Sequence, residues 1–199
     1  VHYAGIACDM DAICNIAKRN NLFIVEDAAQ AIDSMYKGRP LGGLGDLGAF
    51  SFHETKNISA GEGGALLINN AKHKDRAEII WEKGTNRSKF FRGEIDKYGW
   101  VDIGSSFLPP ELVAAQLMGQ LERLQEIQNE RKRVWETYDR LLSPIQAKGL
   151  IRLPFIPEYS SNNYHMYYMV CNSAMERSRL LAFLKERGIH AVFHYQSLH

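Results

Sequence analysis

Residues Leu22 to Val25 read LFIV, an unbroken apolar run directly before two acids, Glu26 and Asp27. A strand with one wet face alternates apolar and polar residues. A continuous run belongs instead to a strand covered on both faces, as in parallel sheets flanked by helices. The preceding stretch fits that architecture: Asp9 can cap a helix reaching about Asn20, with Met10, Ile13 and Ala17 on one face. After the run, the turn-prone YKGRPLGGLGDLG leads to a short strand at Ala49 to Phe52, and a third follows around Ala65 to Ile68. The expected core is therefore a parallel sheet, with Glu26 and Asp27 where its first strand ends.

Ala71 to Lys83 reads as a helix closed by Gly84. The segment GTNRSKFFRGEIDKYGW has no clear period and is expected to be an irregular loop. Pro109 and Pro110 open a long helical stretch to about Leu142, in which Leu117, Leu121, Leu124 and Ile127 recur at helical spacing. Ser143-Pro144 should end it and act as a hinge. Beyond lie a strand-like HMYYMVC, a helix from about Met175 to Arg187 stopped by Gly188, and a strand IHAVFHY. The expected division is 1–108 for a large sheet domain, 109–143 for a connecting helix and 144–199 for a small α/β domain.

Composition limits the function. With 199 residues, 45% of them hydrophobic, the chain can bury a core as one or two domains. A formal net charge of +1 gives no reason to expect a nucleic acid or an acidic membrane as partner. Cys8, Cys14 and Cys171 form no CxxC pair, which suits a reduced, cytoplasmic location. No apolar run approaches the roughly 20 residues of a membrane span, and VHYAGIACDMD lacks the pattern of a signal peptide.

Chemistry is concentrated in SFHETKNISAGEGG, Ser51 to Gly64, where Lys56 sits in a polar loop between two apolar runs. A loop lysine usually only faces water. In open α/β sheets, however, ligands bind beyond the carboxyl ends of the strands, and Asp27, Ser51 and Lys56 all fall there. An amine, a hydroxyl and a carboxylate at one rim suit pyridoxal phosphate: its aldehyde needs a lysine, its phosphate a hydroxyl donor, and its ring nitrogen an acid that keeps it protonated.

The wording around these residues is recognisable. VEDAAQA (Val25 to Ala31), SFHETKN (Ser51 to Asn57) and GEGGALLIN (Gly61 to Asn69), in this order, resemble the DegT/StrS-type sugar-nucleotide aminotransferases, pyridoxal-phosphate enzymes of fold type I. The resemblance runs from VHYAG to VFHYQSLH. It implies part of a large, mostly parallel sheet domain followed by part of a small C-terminal α/β domain. It implies that Lys56 holds the cofactor as a Schiff base and moves the substrate proton, that Asp27 pairs with the ring nitrogen, that Gln30 lies near the ring's phenolic oxygen, and that Ser51 donates to the phosphate. His53 is at a family position too, with no chemical step assigned. KGTNRSKFFRGEIDKYGWVDIGSSF, Lys83 to Phe107, is similar to the subgroup that makes dTDP-4-amino-4,6-dideoxygalactose from the 4-keto-6-deoxyglucose nucleotide, with glutamate as the family's amino donor. Where many relatives carry Gly-x-Asn-x-Arg, this chain has Gly104 to Leu108, GSSFL, so Ser106 stands at the asparagine position whose side chain reaches the phosphate of a neighbouring subunit. The resemblance thus implies a homodimer with shared active sites, serving polysaccharide or lipopolysaccharide synthesis. It also implies an internal fragment, with further phosphate contacts and a ring-stacking aromatic before Val1, the end of the small domain after His199, and poor cofactor binding by these residues alone.

Arg87 and Arg92 could meet a nucleotide pyrophosphate, since a guanidinium fork suits that geometry; a solvated basic loop is the competing reading. HYQSLH resembles the family's HYxPLH element near the sugar, which makes Tyr195 and His199 substrate-side candidates. His190 and His194 share a strand face but lack Cys or acidic partners at ligand spacing, so no metal site is expected. GLGDLG is no dinucleotide fingerprint, because a strand follows it rather than a helix. Two alternatives remain: a family dehydratase, which carries a histidine in place of Lys56, and a catalytically inactive relative with a regulatory or assembly role.

Overall fold

The computed structural model describes residues 1–196. The chain divides into two units. One comprises Val1–Lys132 with Ile156–His165; the other comprises Arg133–Phe155 with the residues from Met166 onward. In chain order the elements are helix α1 (Met10–Asn20), strands β1 (Val25–Asp27), β2 (Met35–Tyr36), β3 (Arg39–Pro40), β4 (Leu47–Ser51) and β5 (Gly64–Ile68), helices α2 (Lys74–Trp81), α3 (Arg87–Phe91), α4 (Glu111–Glu122) and α5 (Leu124–Ala147), strands β6 (Ile151–Arg152) and β7 (Val170–Cys171), and helix α6 (Ala174–Lys185).

In the first unit, α1 starts as its cap predicts: the Asp9 carboxylate accepts from the Ala12 amide at 3.1 Å. Asn21, at φ 50°, turns the chain out of the helix. Met10 packs with Ala7, Ala28, Ala31, Tyr36 and Leu41 into a tight cluster of mostly small side chains. The Tyr36 hydroxyl donates to Asp9 at 3.0 Å, which fastens the start of α1 to β2.

The sheet differs from the expectation in two ways. β1 and β4 are parallel, with Asp27 opposite Ala49, but β5 runs antiparallel to β4, with Ser51 opposite Gly64. The Phe52–Gly63 connection contains no helix, and a parallel return needs a crossover of that kind. Its ends close instead through the Phe52 amide on the Gly63 carbonyl at 2.8 Å. The LFIV run is also not a fully covered strand. Leu22, Phe23 and Val25 are exposed, and the Ile24 amide donates to the Asp46 carboxylate while its carbonyl accepts from Asp46 and Leu47, so β1 begins only at Val25.

Further along, GTNRSKFFRGEIDKYGW is not wholly irregular, since it contains the single-turn helix α3. The long helical stretch breaks at Arg123 and then continues through Pro144 to Ala147, so Ser143-Pro144 does not end the helix. The Ser143 hydroxyl donates to the Asp139 carbonyl at 2.6 Å, a local bond that accompanies proline without stopping the helix. The units part earlier, between Lys132 and Arg133. In the second unit only Val170–Cys171 of HMYYMVC is strand, paired antiparallel with Ile151–Arg152, and IHAVFHY forms no strand among the described residues. No helix among the described residues is long and apolar enough to cross a membrane.

Candidate functional site

Two strand ends and one loop build the rim. Alternation along β1 sends the side chain of Glu26 to one face and that of Asp27 to the other. Because Asp27 is opposite Ala49, Ser51 projects on the same face as Asp27, two residues further along β4. Asp27 stays exposed, and among the described residues its carboxylate accepts only the Ala29 amide, at 3.1 Å. Lys56 follows in the β4–β5 loop, its amide donating to the His53 carbonyl at 3.0 Å. Its side chain is half-buried, and its ammonium meets no acceptor among the described residues.

The buried face explains the rigidity behind Asp27. Glu26, 3% exposed, receives His2 Nε2 and the Gly42 amide at 2.9 Å each on one oxygen, and the Leu44 and Gly45 amides at 2.6 Å each on the other. The Cys8 amide donates to His2 Nδ1, so Nε2 carries the hydrogen that reaches Glu26. Burial alone would push this carboxyl up; the donors from His2, Gly45, Gly42 and Leu44 outweigh it and hold the pKa at about 2. Gly48, opposite Glu26 in the register, leaves room for this arrangement, since a Cβ there would collide with the Gly42 carbonyl. Sequence reasoning missed this node. Its signal was an acid ending an apolar run, followed by a glycine-rich turn.

Other predicted residues have their own surroundings. Gln30 lies in the turn after β1, where its side-chain oxygen accepts the Ala4 amide at 2.6 Å. The Ser51 hydroxyl accepts the His53 amide at 3.3 Å, and His53 pairs through Nδ1 with the Thr55 hydroxyl at 2.9 Å. Ser106 is exposed and bridges Glu82 through the backbone. Arg87 lies over the Phe91 ring at 4.9 Å. Arg92 is engaged by Glu78 at 2.6 and 2.9 Å and by Glu94 at 2.6 Å, which raises its pKa further and lowers those of both acids. Any anion would have to compete with these carboxylates. Tyr195 belongs to the second unit, where its ring stacks on His194 at 4.1 Å; His199 lies outside the described residues. No cluster of three or more His, Cys, Asp or Glu at metal-binding geometry occurs among the described residues.

The first unit is thus mixed α/β, with a carboxylate on β1, a hydroxyl at the end of β4 and an amine in the loop that follows it. Residues 1–199 match the model of the DegT/DnrJ/EryC1/StrS aminotransferase family, and the chain belongs to that family. It is 32% identical over 206 residues to the spore coat polysaccharide biosynthesis protein SpsC of Bacillus subtilis, covering 100% of this chain and 52% of that protein. It is 34% identical over 196 residues to a pleiotropic regulatory protein of Geobacillus stearothermophilus, covering 98% and 49%. The aminotransferase TlmJ of Streptoalloteichus hindustanus superposes with a TM-score of 0.87 at 28% identity, covering 100% of this chain and 52% of that one. The chain spans about half the length of the relatives it matches. The fold is that of pyridoxal-phosphate aminotransferases, and the family is one of sugar aminotransferases.

Proposed function

We propose that this chain is the cofactor-binding portion of a sugar-nucleotide aminotransferase. The observation that carries the reading is the shared face of Asp27 and Ser51 on β1 and β4, with the exposed Asp27 carboxylate bonded, among the described residues, only to a backbone amide. These residues fit pyridoxal phosphate: among the described residues the acid has no ion-pair partner and the lysine amine no acceptor, and a hydroxyl shares the acid's face. Bound there, the cofactor supplies an aldehyde carbon for amines and a ring that accepts the electrons of a carbanion.

Asp27 would keep a proton on the ring nitrogen, Ser51 would orient the phosphate, and Lys56 Nζ would take the proton from the amine-bearing carbon of the donor. Gln30 can still offer its amide nitrogen, since only its oxygen is bonded to Ala4. Ser106 is the residue proposed toward a neighbouring subunit's phosphate, with Arg87, Arg92, Tyr195 and His199 on the substrate side. The proposed amino donor is glutamate and the acceptor a 4-keto-6-deoxyhexose nucleotide, with dTDP as its nucleotide. The whole protein would act as a cytoplasmic homodimer in polysaccharide synthesis. A regulatory role is the second reading, favoured by the name of the Geobacillus relative.

Incubating the whole natural protein with pyridoxal phosphate, glutamate and dTDP-4-keto-6-deoxyglucose separates the two readings. Amino-sugar formation that is lost in Lys56→Ala supports the enzyme. No amino sugar from the wild type supports the regulator.

A further inference from the structure

Directly after Lys56, the side chain of Asn57 is 5% exposed and spends its whole amide on partners from distant parts of the chain. Its Nδ2 donates to Gln128 Oε1 at 2.9 Å and to the Asn163 carbonyl at 2.7 Å. Two carbonyl acceptors take both amide hydrogens, so Oδ1 is left facing His165 Nδ1 at 2.7 Å. That assigns the hydrogen of the pair to His165 Nδ1. The partners are themselves fixed. Gln128 donates to Asp33 at 3.1 Å, and the His165 amide donates to Asn163 Oδ1 at 3.2 Å. Asn163 Nδ2 donates to the carbonyls of Gln30 and Ile32 at 2.8 and 2.9 Å. One buried polar cluster therefore grips the loop that carries Lys56 and the turn that follows Asp27. No ladder bond links these two segments.

We propose that Asn57, oriented by His165, is a positioning residue that sets where the Lys56 amine stands relative to the Asp27 turn. The proposal rests on the aminotransferase reading of Lys56. A reacting group must be held within a fraction of an ångström, and that takes neighbours whose own rotamers are locked. Asn57 is one peptide away from Lys56 and its side-chain amide is fully engaged, whereas among the described residues Lys56 itself is held by one backbone bond, to His53.

The test uses the whole natural protein as wild type, Asn57→Ala, His165→Leu and His165→Asn, the last placing an amide N–H where Nδ1 donates. Cofactor-free samples are followed by amide hydrogen exchange across residues 53–60. Separately, pyridoxal phosphate is added, samples are quenched with borohydride over time, and the label on Lys56 is measured by peptide mass. His165→Leu loses one of these buried bonds and Asn57→Ala loses three, so exchange is expected to speed and labelling to slow about tenfold in His165→Leu and at least as much in Asn57→Ala, with His165→Asn within about twofold of wild type. If Asn57→Ala does not fold, the two His165 variants carry the comparison. Wild-type labelling in His165→Leu, or no recovery in His165→Asn, overturns the positioning role alone. A wild type that takes no label on Lys56 overturns the aminotransferase reading, and the positioning role with it.

Discussion

Replacing Glu26 by Gln tests the account of the sheet's buried face most directly. Both carboxylate oxygens accept two donors: His2 and Gly42 on one, Leu44 and Gly45 on the other. Glutamine keeps the shape but turns one acceptor into an NH2 group. Whichever way its amide lies, two buried N–H donors then face another donor. At about 1–3 kcal/mol for each unsatisfied donor, Glu26→Gln should cost about 2–6 kcal/mol. That is a large part of the stability of an ordinary domain, about 5–15 kcal/mol. Denaturant unfolding at pH 7 reads it as a lower midpoint with an unchanged slope. The folded pKa of about 2 lies below the ordinary 4.5, so the ionised form is the one the fold stabilises. That stability is complete above pH 4.5 and is lost as pH falls toward 2, and the gap is worth about 3 kcal/mol. Wild type should lose that increment across the window and Glu26→Gln should not. A midpoint shift worth less than about 1 kcal/mol, or equal acid sensitivity in both proteins, would refute the reasoning.

Gly48→Ala should destabilise the first unit by about 1–3 kcal/mol, because the new methyl meets the Gly42 backbone rather than a flexible side chain; thermal unfolding checks it. Asp9→Ala removes the cap of α1 and the acceptor for Tyr36 together, and a cost of about 1–2 kcal/mol should show as a lower melting temperature.

The helices were legible because their signals are local. Asp9 caps α1 at the predicted residue, and Gly84 at φ 76° follows α2, which stops at Trp81 rather than at the expected Lys83. The strands were legible in place but not in direction. Nothing in GALLI states whether it returns parallel or antiparallel; the helix-free connection from Phe52 to Gly63 decides that. HMYYMVC and IHAVFHY carry strand propensity, but propensity becomes strand only where a partner supplies a ladder, and within the described residues that occurs at Val170 and Cys171 alone. The rim residues Asp27, Ser51 and Lys56 were visible through residue type and strand position. Their supports were not. Glu26 looks like a second strand-end acid and Asn57 like an ordinary loop residue until their partners from positions 2, 42–45, 128, 163 and 165 come into contact.

Those supports show how the chain's halves cooperate within one unit. Residues 156–165 come back to the first unit after the chain has already entered the second, and they bring Ser160 to the Ala7 amide, Asn163 to Gln30 and His165 to Asn57. Burying polar side chains is costly unless every donor finds an acceptor, and here Asn57 and Asn163 find theirs only when the returning segment is in place. Docking of that segment and ordering of the Lys56 loop are therefore one event. A chain cut before Ile156 should keep α1 and β1, whose bonds to Tyr36, His2, Gly42, Leu44, Gly45 and β4 all involve residues before the cut, while the loop around Lys56 loses its order. Hydrogen exchange across 53–60 in such a truncation, compared with exchange in α1, measures the coupling, and equal protection of the loop in both chains would show that the returning segment does not set it.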